Sequence, residues 1–151
     1  MNVMTTNAPA TGLQQLQQLL ESGQQPPIGT TLNFGLREVA EGRAVFAGTP
    51  GPQHYNPIGS VHGGVAATLL DSACGCAVHT RLGADQAYTT LELKVAYHRG
   101  MTADTGEVRA IGTVLTMGRR VAFAEAKLLD RNDRLLASAT STLLVMERRA
   151  T

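Results

Sequence analysis

The sequence predicts an α+β domain in which a curved antiparallel sheet wraps a long buried helix. Three observations carry this reading. Residues 61–78 are apolar or small on almost every side of a helix, two strand-like segments precede them, and four more follow with turn residues between them. A chain of 151 residues can bury its own core without disulfides or a structural metal.

Residues 1–12 are small and polar, which predicts a frayed start. From Leu13, the leucines Leu13, Leu16 and Leu20 share one stripe, Leu19 widens it, and Gly23 supplies a stop, so a short amphipathic helix is expected. Pro26 and Pro27 end it. Segments 32–39 and 43–49 then read as strands joined through Glu41 and Gly42. Residues 50–60 hold three prolines and two glycines, the composition of an irregular loop that fixes a few side chains in space.

Over residues 61–83, Ser60 is placed to cap the central helix and Gly83 to end it. Strand character returns at 88–99, 107–117, 121–130 and 135–146. Gly100 with Asp104, Gly118, and Asn132 with Asp133 mark the turns, so all three connections are expected to be hairpins. Segment 88–99 alternates, with Leu91, Leu93, Val95 and Tyr97 on one side and Glu92, Lys94 and His98 on the other, which predicts one buried face.

The formal net charge is +1 with dispersed basic residues, unlike the concentrated footprint that nucleic-acid binding needs. Cys74 and Cys76 lie two apart on the expected helix, point to different faces and cannot bridge each other. They read as small buried residues of a reducing, cytoplasmic compartment. No zinc-type Cys/His spacing occurs, and residues 1–6 lack a basic segment with an apolar run behind it, so metal binding, secretion and membrane spanning are disfavoured.

Asp71 is the anomaly. It falls midway along the apolar helix, where an unpaired carboxylate would be costly. Either it is a hydrogen-bonded structural group or it is a general base or nucleophile. Gly64, Thr68, Asp71 and Gly75 share a helical face, and the two glycines would let another backbone approach. The His62-Gly63-Gly64 start leaves first-turn amides open to a ligand oxygen, as in an oxyanion hole, or simply eases a crowded chain entry. Thr89 shares parity with Leu91, Leu93 and Val95, so its hydroxyl is expected on the helix side of its strand. Asn56 suits either an Asx-turn or a polarising donor.

The run Asn56-Pro57-Ile58-Gly59-Ser60-Val61-His62-Gly63-Gly64, followed by Leu69-Leu70-Asp71, resembles hotdog-fold acyl-CoA thioesterases of the phenylacetate-pathway type, in the 4-hydroxybenzoyl-CoA thioesterase superfamily. The likeness runs from about residue 32 to 145. It implies a hotdog domain over 25–151, preceded by a tail and short helix over 1–24. It implies Asp71 as general base or nucleophile, the Gly63 amide as oxyanion donor, Asn56 holding thioester or water, Thr89 orienting water, and His62 beside the thioester. A homodimer forming the active site, often paired into a tetramer, is implied too, with no cofactor beyond the CoA of the substrate. For the CoA phosphates the basic candidates are Arg99, Arg119 and Arg120, with Gly64 at the substrate. Two other classes fit the fold: a hotdog hydratase or dehydratase, and a non-catalytic acyl-CoA binding module. A desolvated carboxylate gives a mere binder no advantage.

Overall fold

The computed structural model describes residues 8–149. Along the chain run α1 (Gly12–Ser22), α2 (Pro27–Leu32), β1 (Phe34–Ala40), β2 (Arg43–Gly48), α3 (Gly63–His79), β3 (Gln86–Tyr97), β4 (Val108–Met117), β5 (Val121–Leu129) and β6 (Leu135–Glu147). The frayed start expected over 1–12 lies mostly outside the described residues. Among those described, no helix is long and apolar enough to cross a membrane.

The helix α1 begins where Thr11 and Gln14 exchange side-chain and backbone hydrogen bonds, which satisfies two donors the helix leaves open. It ends at Gly23, whose φ of 66° is left-handed. Leu16 buries itself in the core from this helix. The prolines do more than end α1. Pro27 opens α2 at the first helical position, where its missing N–H and fixed φ suit the geometry. The first strand therefore starts at Phe34, not at residue 32.

All strand neighbours are antiparallel, in the order β1-β2-β4-β5-β6-β3. Two of the three expected hairpins form, β4 with β5 and β5 with β6. The third does not, because β3 pairs with β6 and β4 pairs with β2. After β2 the chain crosses the sheet as α3, so β3 enters at the far edge. Gly100 and Asp104 reverse the chain without pairing the strands they connect.

The sheet curves around α3. Leu69, Leu70 and Val78 are fully buried between the helix and the sheet, each worth about 1.5–3 kcal/mol of apolar transfer. Beneath them the sheet is lined by Ala110, Ala122, Ala124 and Ala126. A Cβ at Gly112 would run into the Ala73 carbonyl, so only glycine allows the helix backbone this close. The caps differ from the sequence expectation. His62, not Ser60, caps α3. At the other end the Thr80 hydroxyl donates to the Ala77 carbonyl and accepts from the Gly42 amide, which ends the helix before Gly83.

Candidate active site

Asp71 projects from the middle of α3 towards β3, where the Thr90 hydroxyl donates to its Oδ1 at 3.0 Å. The strand alternation of the sequence places the Thr89 hydroxyl on this side instead. A β-bulge between Thr90 and Glu92 explains the difference, because an extra residue in one strand reverses the face of everything before it. Thr90 sits opposite the buried Leu143, while Thr89 is exposed and sits opposite Leu144. Beyond the bulge the expected alternation holds for Leu93 and Val95, which pack against the core. Leu91, expected inside, is 58% exposed, and Tyr97 is 57% exposed.

A cavity of about 190 Å³ opens beside this carboxylate, walled by Ile28, Phe34, Phe46, Cys76 and Tyr88 together with Asp71 and Thr90. Larger depressions, of about 330 to 540 Å³, are not lined by Asp71 and are wider open to solvent. The more enclosed one places the carboxylate against apolar walls, where a bound acyl group would be largely shielded from bulk solvent. Its thiol and phenol are held neutral. Burial pushes the Cys76 thiol up to about 12, partly offset by a hydrogen bond with Tyr88 and reinforced by the Asp71 charge. Burial likewise raises the Tyr88 phenol, with Cys76 and Asp71 adding to it. Among the described residues no group of three or more His, Cys, Asp or Glu side chains is arranged to hold a metal ion.

The second cluster lies at the start of α3. The Asn56 side-chain oxygen accepts from the Ile58 and Ser60 amides, both at 3.1 Å, and its Nδ2 donates to the Ser60 hydroxyl. Asn56 thus forms the Asx-turn that shapes the loop. His62 Nδ1 accepts from the Gly64 amide at 2.8 Å, and the His62 amide donates to the His54 carbonyl. His54 itself is buried, with Nδ1 accepting from Gly51 and no partner on Nε2. The Gly63 amide has no partner among the described residues, as a first-turn donor should not. Tyr97, which the alternation of its strand places only on the core face, donates its hydroxyl to the Gly63 carbonyl at 2.7 Å.

These clusters do not meet within one chain. Gly63 and Asp71 stand eight residues apart on α3, roughly 12 Å along its axis. The glycine face also differs from expectation. Gly75 makes room for the Tyr88 ring of the same chain, whose hydroxyl would lie 2.8 Å from a Cβ there. Gly64 remains exposed. The three arginines are exposed but dispersed. Arg99 follows β3 beside the start of β6, whereas Arg119 and Arg120 form the turn that meets its far end, roughly 30 Å along the strand.

A family model described as thioesterase superfamily matches residues 58–137, the stretch from the loop before α3 into β6. The chain belongs to the thioesterase superfamily. Its six-stranded antiparallel sheet around a central helix is the hotdog fold of that superfamily. A protein of Halobacterium salinarum named as an esterase is 37% identical over 84 residues, 54% of each chain, so the match spans about half that relative's length. The 1,4-dihydroxy-2-naphthoyl-CoA hydrolase of Listeria monocytogenes is 24% identical over 119 residues, covering 79% of this chain and 95% of that protein. Among solved structures, a variant of the phenylacetic acid degradation protein PaaI from Thermus thermophilus is 28% identical, with a TM-score of 0.71, covering 79% of this chain and 98% of that one. Thioester hydrolysis is the chemistry of the superfamily, and Asp71, His62, Gly63 and Gly64 all fall inside the matched segment.

Proposed function

We propose that this thioesterase-superfamily protein hydrolyses acyl-CoA thioesters to the free acid and CoA, with water as the only co-reactant. The observation that carries the reading is Asp71, one oxygen held by Thr90, lining an enclosed and largely apolar cavity. In the direct route Asp71 takes a proton from water as its oxygen attacks the thioester carbonyl, and the Gly63 amide stabilises the developing oxyanion. The C–S bond then breaks and the departing thiolate takes up the proton. In the alternative, Asp71 attacks the carbonyl itself, the C–S bond breaks to release the CoA thiolate and leave an anhydride, and water opens that anhydride to the free acid and the Asp71 carboxylate while its proton passes to the thiolate. One turnover in heavy-oxygen water distinguishes them, since label in Asp71 excludes the direct route.

The cavity favours compact acyl groups. Its volume of about 190 Å³ is close to the about 150 Å³ that accepts a benzene ring, and Phe34, Phe46 and Tyr88 offer aromatic edges. Two relatives named for phenylacetic acid degradation and for a naphthoyl-CoA point the same way. An aryl-acyl group is therefore the proposed substrate class. Thiol release from a panel running from phenylacetyl-CoA to palmitoyl-CoA tests this. Release fastest with the aryl thioesters is expected. Binding without release would identify a binding module, and hydration of crotonyl-CoA without thiol release would identify a hydratase.

The 12 Å between Gly63 and Asp71 supports a site shared by two chains. Two α3 helices packed antiparallel about a two-fold axis would bring Asp71 of each beside Gly63 of the other. Ile58, 89% exposed, and Leu91, on the edge strand β3, supply apolar surface for a partner to cover. Val121, Phe123 and Met146, exposed on the outer sheet face, support pairing of dimers into a tetramer. Arg99, Arg119 and Arg120 remain the proposed phosphate contacts, and the free thiols of Cys74 and Cys76 suit a cytoplasmic setting.

A further inference from the structure

We infer that Tyr97 is a positioning residue for the oxyanion donor, an inference that rests on the proposed thioester hydrolysis. The Gly63 amide can act only if it points at the spot where the carbonyl oxygen becomes an anion, and a small misalignment is costly. Two consecutive glycines are the least suited residues to hold such a direction, because they lose the most backbone freedom on being fixed. Something must hold them.

The hydrogen bonds around this turn do so one peptide group at a time. The peptide group carrying the Gly63 N–H has His62 as its carbonyl, and that carbonyl accepts from the Val65 amide at 3.0 Å. The next peptide group is tied at both ends. Its N–H, on Gly64, donates to His62 Nδ1, and its C=O, on Gly63, accepts from the Tyr97 hydroxyl. Of the ties on these two groups, only Tyr97 reaches in from another element. It comes from the last residue of β3, a strand anchored along its whole length to β6.

Packing adds to the bond. A Cβ at residue 63 would lie 3.0 Å from both Cζ and Oη of Tyr97, so the phenol rests directly on the glycine. Glycine at 63 thus leaves its amide open and admits the ring that braces it. The ring is more than half exposed, which a residue serving only the core would not need. It stands on the same side of the sheet as Asp71's partner strand segment, so the strand that positions the base through Thr90 also positions the donor through Tyr97, seven residues on.

The test is Tyr97→Phe, which keeps the ring and removes the hydroxyl. Thiol release from phenylacetyl-CoA should show kcat reduced roughly tenfold to a hundredfold with KM within about twofold, the mark of an interaction realised in the transition state. Amide hydrogen exchange at Gly64 should quicken at least about tenfold, while Ala73 and Ala77 in the buried part of α3 keep their protection. Unchanged Gly64 exchange, or unchanged kcat in an active enzyme, overturns the inference, as does an equal loss of protection throughout α3. If the wild-type protein releases thiol from no thioester on the panel, the proposed function fails, and Gly64 exchange in Tyr97→Phe still decides whether Tyr97 holds the turn.

Discussion

The Thr90 hydroxyl donates to Asp71 across 3.0 Å, tying the middle of the buried helix to the one point in β3 where the strand changes the face it presents. The bulge between Thr90 and Glu92 is what lets residues on both sides of it serve the interior. Without it, Thr89 would face the helix and Leu93 and Val95 could keep their core positions, but Tyr88 would leave the cavity. The irregularity therefore sets which hydroxyl and which ring surround the carboxylate.

Asp71→Asn should fold normally and lose turnover by a factor of about a hundred or more. Asparagine keeps the shape and still accepts from Thr90 but cannot take a proton. Steady-state thiol release together with a thermal melt checks both halves, and activity within a few-fold of wild type would remove Asp71 from the mechanism.

Thr90→Val and Thr89→Val should separate sharply. A hydrogen bond to a charged group contributes about 1.5 kcal/mol or more, so losing the Thr90 hydroxyl should lower kcat by about tenfold. The exposed Thr89 should tolerate valine with little change. Equal losses in the two variants would contradict the bulged register.

Mixed dimers test the shared site. An Asp71→Asn chain combined with a Gly63→Val chain should recover activity at one of the two sites, because one interface then joins an intact Asp71 to an intact Gly63. Co-expression with two different affinity tags isolates the mixed species. No recovery, or an active monomer in sedimentation, would rule the arrangement out.

Alkaline pH should destabilise the protein earlier than its exposed groups alone would. Burial chiefly, with the Asp71 charge adding, pushes Cys74 and Cys76 from 9.0 to about 12. As pH rises through the unfolded value near 9.0, the unfolded chain loses these protons while the folded chain keeps them until about 12. The unfolded state then binds fewer protons, so stability falls across that window and is complete below it. Melting temperature should drop between about pH 9 and pH 11, and a Cys74→Ala, Cys76→Ala variant should show a shallower slope.

The sequence by itself determined the central helix, the position of Asp71 within it and the His62-Gly63-Gly64 entry, because composition and spacing along one helix are local properties. It also marked the ends of β2, β4, β5 and β6 to within a residue or two, where turn residues and alternation agree. The Thr89-Thr90 doublet even ensured that some hydroxyl would face Asp71 in either register. Tertiary structure alone decided which one, since a bulge is set by how β3 fits β6 and a single inserted residue reverses the face. It alone decided that β3 lies beside β6 and not β4, because the path of α3 across the sheet chooses the edge that the chain reaches next. The contacts of Tyr97 with Gly63 and of Tyr88 with Gly75 join residues 34 and 13 positions apart, and no periodicity in the chain reports a distance that only the packed helix and sheet create.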